Sequence, residues 1–149
     1  MIALILGLVG HFIADFLLQS REMGKKKSSD KKILAAHIAI QVAVVGVLML
    51  LVTTPLKALA IALLNGAIHG VVDWNIWNLY KMHAYKRILK NATQAIPLWN
   101  EYSDKVKADI ITKSISEWQY WEDHWFYTTI GFDQLLHTLT LVVVIGFIA

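Results

Sequence analysis

Cysteine is absent from the 149 residues, which excludes disulfides, thiolate metal ligands and a cysteine nucleophile. Charge is sparse: 17 % of residues are Asp, Glu, Lys or Arg, and the net charge is only +3. No Ser-His-Asp nucleophile pattern and no glycine-rich phosphate loop is present. The first apolar stretch lacks a basic n-region and carries His11 and Asp15, so a retained first span is expected rather than a cleaved signal peptide. Internal repeats and low-complexity tracts are also missing, apart from one basic loop.

Apolar sequence is what the chain has in abundance, at 56 % hydrophobic residues, which places it in the membrane class. Four apolar segments, about 2–20, 33–53, 56–80 and 126–149, each approach the ~20 residues that a spanning helix needs. The first link, REMGKKKSSDKK, is polar and basic. The second, Thr53-Thr54-Pro55, is short enough to make helices two and three an antiparallel hairpin. The third, 81–125, is long, charged and amphipathic. The expected fold is therefore all-α: one polytopic membrane domain over 1–149, a four-transmembrane-helix bundle with an amphipathic cytoplasmic helical segment between helices 3 and 4. Thirteen of the fourteen Lys/Arg fall in 21–32 and 81–125, Lys57 being the exception. By the positive-inside rule both links are cytoplasmic and both termini lie outside.

Trp99, Trp118, Tyr120, Trp121, Trp125 and Tyr127 crowd the third link and its junction with the last span. An interfacial aromatic belt is the expectation, with a lid over a binding site as the alternative. His83 and His124 read as interfacial too.

Against this background the polar residues inside the spans stand out. His11/Asp15, His69/Asp73 and Asp133/His137 are each four residues apart, and His37 stands alone in the second span. Asp in hydrocarbon costs on the order of 2.5–3.5 kcal/mol by insertion scales, so a compensating partner is required. Side chains at i and i+4 on a helix are neighbours, and His with Asp are ligand types of divalent metals. Counted from the cytoplasmic ends at about 1.5 Å per residue, all seven fall in one layer some 6–16 Å deep. Such groups could instead pair with each other, or join helices through Asn and Gln bonds of about 0.6–2 kcal/mol. Small residues such as Gly66, Ala67 and Gly70 would pack helices at lower cost, however, so the set of seven favours a metal site. Expected ligands are His11, Asp15, His37, His69, Asp73, Asp133 and His137, with Asp15, Asp73 and Asp133 as the catalytic carboxylates. Gln19, Gln41 and Gln134, on or beside the same stripes, are expected to orient them. One to three divalent ions (zinc, manganese or iron) suit this donor set.

The stretches HFIADFLLQ (11–19) and FDQLLH (132–137) resemble the signature of an uncharacterised family of small bacterial and phage integral-membrane proteins. Its pattern is H-x-x-x-D-F-x-L-Q in the first helix, a His early in the second, H-x-x-x-D in the third and D-Q-x-x-H in the last. The resemblance runs through His11, Asp15, Gln19, His37, His69, Asp73, Asp133, Gln134 and His137 and implies a bacterial inner-membrane location. This chain departs from the pattern after Asp73, where relatives often carry a nearby Lys and this sequence reaches only Lys81. A more distant similarity is to membrane-bound metal-dependent hydrolases.

Two ions about 3.5–4 Å apart would acidify a water and clamp both oxygens of a phosphate ester. The leading expectation is a metal-dependent hydrolase acting on a phosphate-containing lipid, with Lys25, Lys26, Lys27, Lys31, Lys32 and Lys81 drawing in anionic headgroups. The alternatives are a non-enzymatic membrane protein with a structural metal or polar core, docking a protein partner through 81–125, and an ion or proton pathway. Membrane lipids are expected partners and nucleic acid is not; self-association into a homo-oligomer is compatible with the sequence.

Overall fold

The first apolar segment begins a helix at Ile2 and runs out of regular geometry near Phe12, where the ladder widens by one residue. A computed structural model describes residues 1–97 and 99–149; residue 98, inside the third link, lies outside the described residues. Helix α1 (Ile2–Phe12) continues into a π-turn (Ile13–Leu17), closed by the Leu18 N–H donating to Ile13 O at 3.0 Å. Helices α2 (Arg21–Lys26), α3 (Lys31–Met49), α4 (Pro55–Ala95), α5 (Asp104–Glu117) and α6 (His124–Ile148) follow, with short 3-10 turns at Trp99–Glu101 and Tyr120–Glu122. No strand occurs among the described residues.

Local chemistry sets the helix starts. Ser20 caps α2 through Met23 N, Asp30 caps α3 through Lys32 N and Ile33 N, and Asp123 caps α6 through Trp125 N. Pro55 occupies the first turn of α4, where its missing N–H costs nothing. At the other end Ile96 is extended, as the residue before Pro97 must be, and α4 stops.

Among the described residues three helices, α3, α4 and α6, are long and apolar enough to cross a membrane. The first of the four expected spans is shorter: eleven α-helical residues and a five-residue π-turn reach only about 24 Å. The chain then leaves helical geometry so that Ser20 can cap α2. A second difference concerns the third link. Residues 81–95, expected to lie in it, prolong α4 to 41 residues, about 60 Å. Neither Pro nor Gly interrupts KMHAYKRILKNATQA, and burial of Tyr80 and Ala84 anchors the extension.

Helix α1 packs on α3 and α6, α3 on α4, and α4 on α6, closing a four-helix ring. Gly66 and Gly70 allow the α3–α4 approach, because a Cβ at either position would strike Val42 or Ile38. The buried rows step by four residues and change character along each helix. In α3 the row is His37, Gln41, Val45, Met49; in α6 it is Asp133, His137, Leu141, Ile145. One half of the interior is thus polar, and the other is a dry cluster of Val45, Met49, Ala58, Ile61, Leu141, Val144 and Ile145. Outside, Leu63, Leu64, Val71, Leu135, Leu139, Val143 and Phe147 stand exposed. A polar interior inside an apolar exterior suits hydrocarbon surroundings rather than water.

Candidate metal centre

All seven expected ligands come together in the polar half, none more than 5 % exposed. Helix α1 supplies His11 and the π-turn Asp15; α3 supplies His37, α4 His69 and Asp73, and α6 Asp133 and His137. The widened turn at Asp15 keeps its Oδ2 3.5 Å from His11 Nε2 while Oδ1 reaches across to α3 and α4. π-turns of this kind recur at functional sites.

The tightest grouping is His37, His69 and Asp73. His37 Nε2 and His69 Nε2 are 2.9 Å apart, and Asp73 Oδ2 lies 3.3 and 3.2 Å from them. An ion held about 2.0–2.1 Å from nitrogen and oxygen donors in a tetrahedron needs donor separations of about 3.3 Å, so these three form one face of such a site. Asp15 Oδ1, 3.2 and 3.4 Å from the same two nitrogens, is available as a fourth donor. Two further groups overlap this one: His11, Asp15 and His69, and Asp73, Asp133 and His137. Each of the three groups could hold a metal ion. His137 Nε2 lies 3.6 Å from Asp73 Oδ1 and 3.5 Å from Asp133 Oδ1, too far for a hydrogen bond. Several buried atoms of the set, among them Asp73 Oδ2, Asp133 Oδ1 and His137 Nε2, have no hydrogen-bond partner, a costly condition unless a cation satisfies them.

The three glutamines part company. Gln41, fully buried, places Nε2 2.6 Å from His11 Nδ1, 3.2 Å from His69 Nδ1 and 3.4 Å from Asp15 Oδ1, while its own Oε1 has no partner. In that orientation the amide donates to both rings, leaving their protons on Nε2. A half-turn of the amide presents Oε1 instead, which accepts from both Nδ1–H groups and frees both Nε2 lone pairs for a metal. Gln134 touches His11 Nε2 at 3.2 Å and Asp133 Oδ2 at 3.4 Å. Gln19 sits beyond the π-turn, lines the pocket described below, and keeps its buried Oε1 without a partner.

Sequence reasoning missed Lys27. Expected at the surface with the rest of the basic loop, it is 4 % exposed, and its Nζ pairs with Asp73 Oδ1 at 2.7 Å. Its neighbour Ser28 is buried as well and accepts from Lys81 Nζ at 2.7 Å. Nothing in REMGKKKSSDKK marks one lysine of the run as different; only the turn after α2, where Lys27 caps the helix, aims it inward. On α2 itself Lys26 is engaged by Glu22 at 3.0 Å, its ammonium holding that carboxyl below the usual range.

A pocket of about 320 Å³ opens onto this cluster. Buried Asp15 and Asp133 with Gln134 form its floor; Arg21, Lys25, Lys27 and Lys81 supply cations. Trp77, Tyr80, Trp118, Tyr120 and Phe126 form an aromatic wall. The expected belt therefore divides: Trp118 and Tyr120 face the pocket, whereas Trp121, Trp125 and Tyr127 are exposed. His83 and His124 are exposed and away from the cluster.

Fold and site together define a helical bundle whose polar core carries overlapping His/Asp groups able to hold a metal ion. The chain belongs to a family described as a protein of unknown function (DUF3307), whose model matches residues 3–149. No curated protein and no solved structure matches it.

Proposed function

We propose that this protein is an integral-membrane, metal-dependent hydrolase acting on a phosphate-containing lipid or related amphiphile, from the cytoplasmic side of a bacterial inner membrane. One observation carries the reading: the carboxylates on the pocket floor, Asp15 and Asp133, belong to the His/Asp cluster, while the same pocket is lined by four cations and an aromatic wall. Cations and aromatics side by side suit a phosphate joined to an apolar body. His37, His69, Asp73 and Asp15 would hold a divalent ion, which would supply Lewis-acid polarisation of a phosphoryl oxygen and a water made acidic near neutral pH. Arg21, Lys25 and Lys81 bind and orient the phosphate, and Trp118 with Tyr120 exclude water above it. Asp133, on the floor, takes a proton from the attacking water and returns it to the alcohol oxygen that departs as its P–O bond breaks.

The buried Lys27–Asp73 pair favours a second reading, a polar core that neutralises itself and serves helix packing alone. Phosphate release from phosphatidic acid and polyprenyl phosphates in mixed micelles, with zinc or manganese present or chelated, separates the two. The hydrolase reading expects metal-dependent release that Asp73→Asn and Asp133→Asn abolish while the protein still inserts. Retained biological activity in a metal-free Asp73→Asn protein sinks it.

A further inference from the structure

The three candidate ion positions cannot all be used. The His11 and His37 groups both draw on His69, whose Nδ1 is held by Gln41 and whose Nε2 can serve one ion. Asp73, by contrast, offers Oδ2 to His37 and His69 and Oδ1 to the side where His137 and Asp133 stand, so two positions remain in principle. On that second side the Lys27 ammonium already lies 2.7 Å from Asp73 Oδ1.

We infer that Lys27 is the second cation of this centre: the bundle takes one divalent ion, at His37, His69, Asp73 and Asp15, and the Lys27 ammonium holds the position at Asp73, Asp133 and His137 that a second divalent ion would fill. The inference rests on the metal-site reading above and fixes the number of ions that reading left open.

Charge supports it as directly as distance. Three carboxylates, one divalent ion and one ammonium are neutral together, with the imidazoles uncharged. Two divalent ions beside Lys27 leave two positive charges in excess within a low-dielectric bundle, where like charges a few ångströms apart repel strongly. The ammonium is also fixed in place. Lys27 follows α2 directly, and the next residue, Ser28, is pinned by Lys81, so the strap holding the ammonium is tied to α4 above Asp73. Without Lys27, one excess negative charge faces Asp73 Oδ1, Asp133 Oδ1 and His137 Nε2, a donor set for a borderline cation such as zinc.

Zinc bound per chain decides the matter, measured by elemental analysis of the full chain in mild detergent after saturation with zinc and gel filtration. The wild type is expected to hold one ion and Lys27→Leu two, with Lys27→Leu/Asp133→Asn returning to one. Two ions in the wild type, or one in a Lys27→Leu protein that is helical and monodisperse, overturns the inference and leaves the metal reading standing. No zinc in either overturns both. Should Lys27→Leu fail to fold, Asp133→Asn alone decides: one ion retained supports the assignment, and a lost ion makes Asp133 a ligand and overturns it.

Discussion

Gln41→Leu tests whether this core is built to bind metal or only to hold helices together. The side chain is fully buried and its amide faces two imidazoles, His11 at 2.6 Å and His69 at 3.2 Å. If Oε1 accepts from both Nδ1–H groups when metal is present, the substitution leaves the Nδ1–H of the ligating His69 buried without the acceptor that holds its tautomer. At about 1–3 kcal/mol for a buried donor left unpaired, the loss is about 2 kcal/mol. At 1.4 kcal/mol per tenfold this weakens zinc binding about 30-fold, inside the 10–100-fold range for groups that orient ligands. Gln41→Glu keeps an acceptor for both rings and is expected to bind zinc within a few-fold of the wild type. The assay is competition for zinc against a chromophoric chelator, with helix content followed in parallel. A packing role makes the opposite forecast: Leu, apolar and of similar volume, would be tolerated, whereas Glu would add a charge beside Asp15 Oδ1, 3.4 Å from the amide nitrogen. Zinc binding by Gln41→Leu within threefold of the wild type refutes the orienting role, as does a Glu variant weaker than the Leu variant.

Other consequences follow from particular contacts. Zinc at a hundredfold excess over its Kd should stabilise the fold by about 2.7 kcal/mol, raising Tm by roughly 5–10 °C in a differential scan. Asp73→Asn should erase that shift, and an equal shift in the variant would place the ion elsewhere. Gly70→Leu drives a side chain into Ile38 and forces α3 from α4, so a loss of about 1–3 kcal/mol or more is expected, together with zinc binding. An unchanged melting midpoint would show that the helices do not meet there. Asp123→Ala removes the α6 cap and frees Tyr80 and Arg87, both of which donate to it. With the partly exposed Arg87 pair discounted for solvent screening, a cost of about 1–2 kcal/mol is expected. It should appear as faster hydrogen exchange over residues 118–126, and exchange unchanged there would rule out an anchoring role for Asp123.

The sequence shows the helices and the site more clearly than it shows their edges. Polar residues at four-residue spacing in apolar runs are visible in the letters alone, because period and polarity survive without coordinates. His11, Asp15, His37, His69, Asp73, Asp133 and His137 meet as that spacing requires. The π-turn at Ile13–Leu17 has no such signature: no proline or glycine lies within it, and the contacts it gives Asp15 with His37 and His69 are tertiary. The length of α4 is hidden for a related reason. Charged residues 81–95 look like a link by hydropathy, yet they are good helix formers with Tyr80 and Ala84 buried beneath them. Lys27 was least legible, since burial of one lysine among six basic residues depends on where a short turn points.

Polarity along the bundle argues for the proposed site rather than a passage. An ion or proton pathway needs groups able to exchange a charge at every depth. Here the row of α3 changes from His37 and Gln41 to Val45 and Met49, and that of α6 from Asp133 and His137 to Leu141 and Ile145. In α4 the polar residues are Asp73, His69 and Asn65, beyond which Ile61 and Ala58 are apolar. Each of these helices crosses over within about two turns, at the same level, into one continuous dry cluster. A charge moved from Asp73 toward the far end would meet only hydrocarbon, at a cost of several kcal/mol with no partner to offset it. The polar half therefore meets a dry cluster at its inner end and opens to the basic pocket, which favours the proposed one-sided centre over a passage.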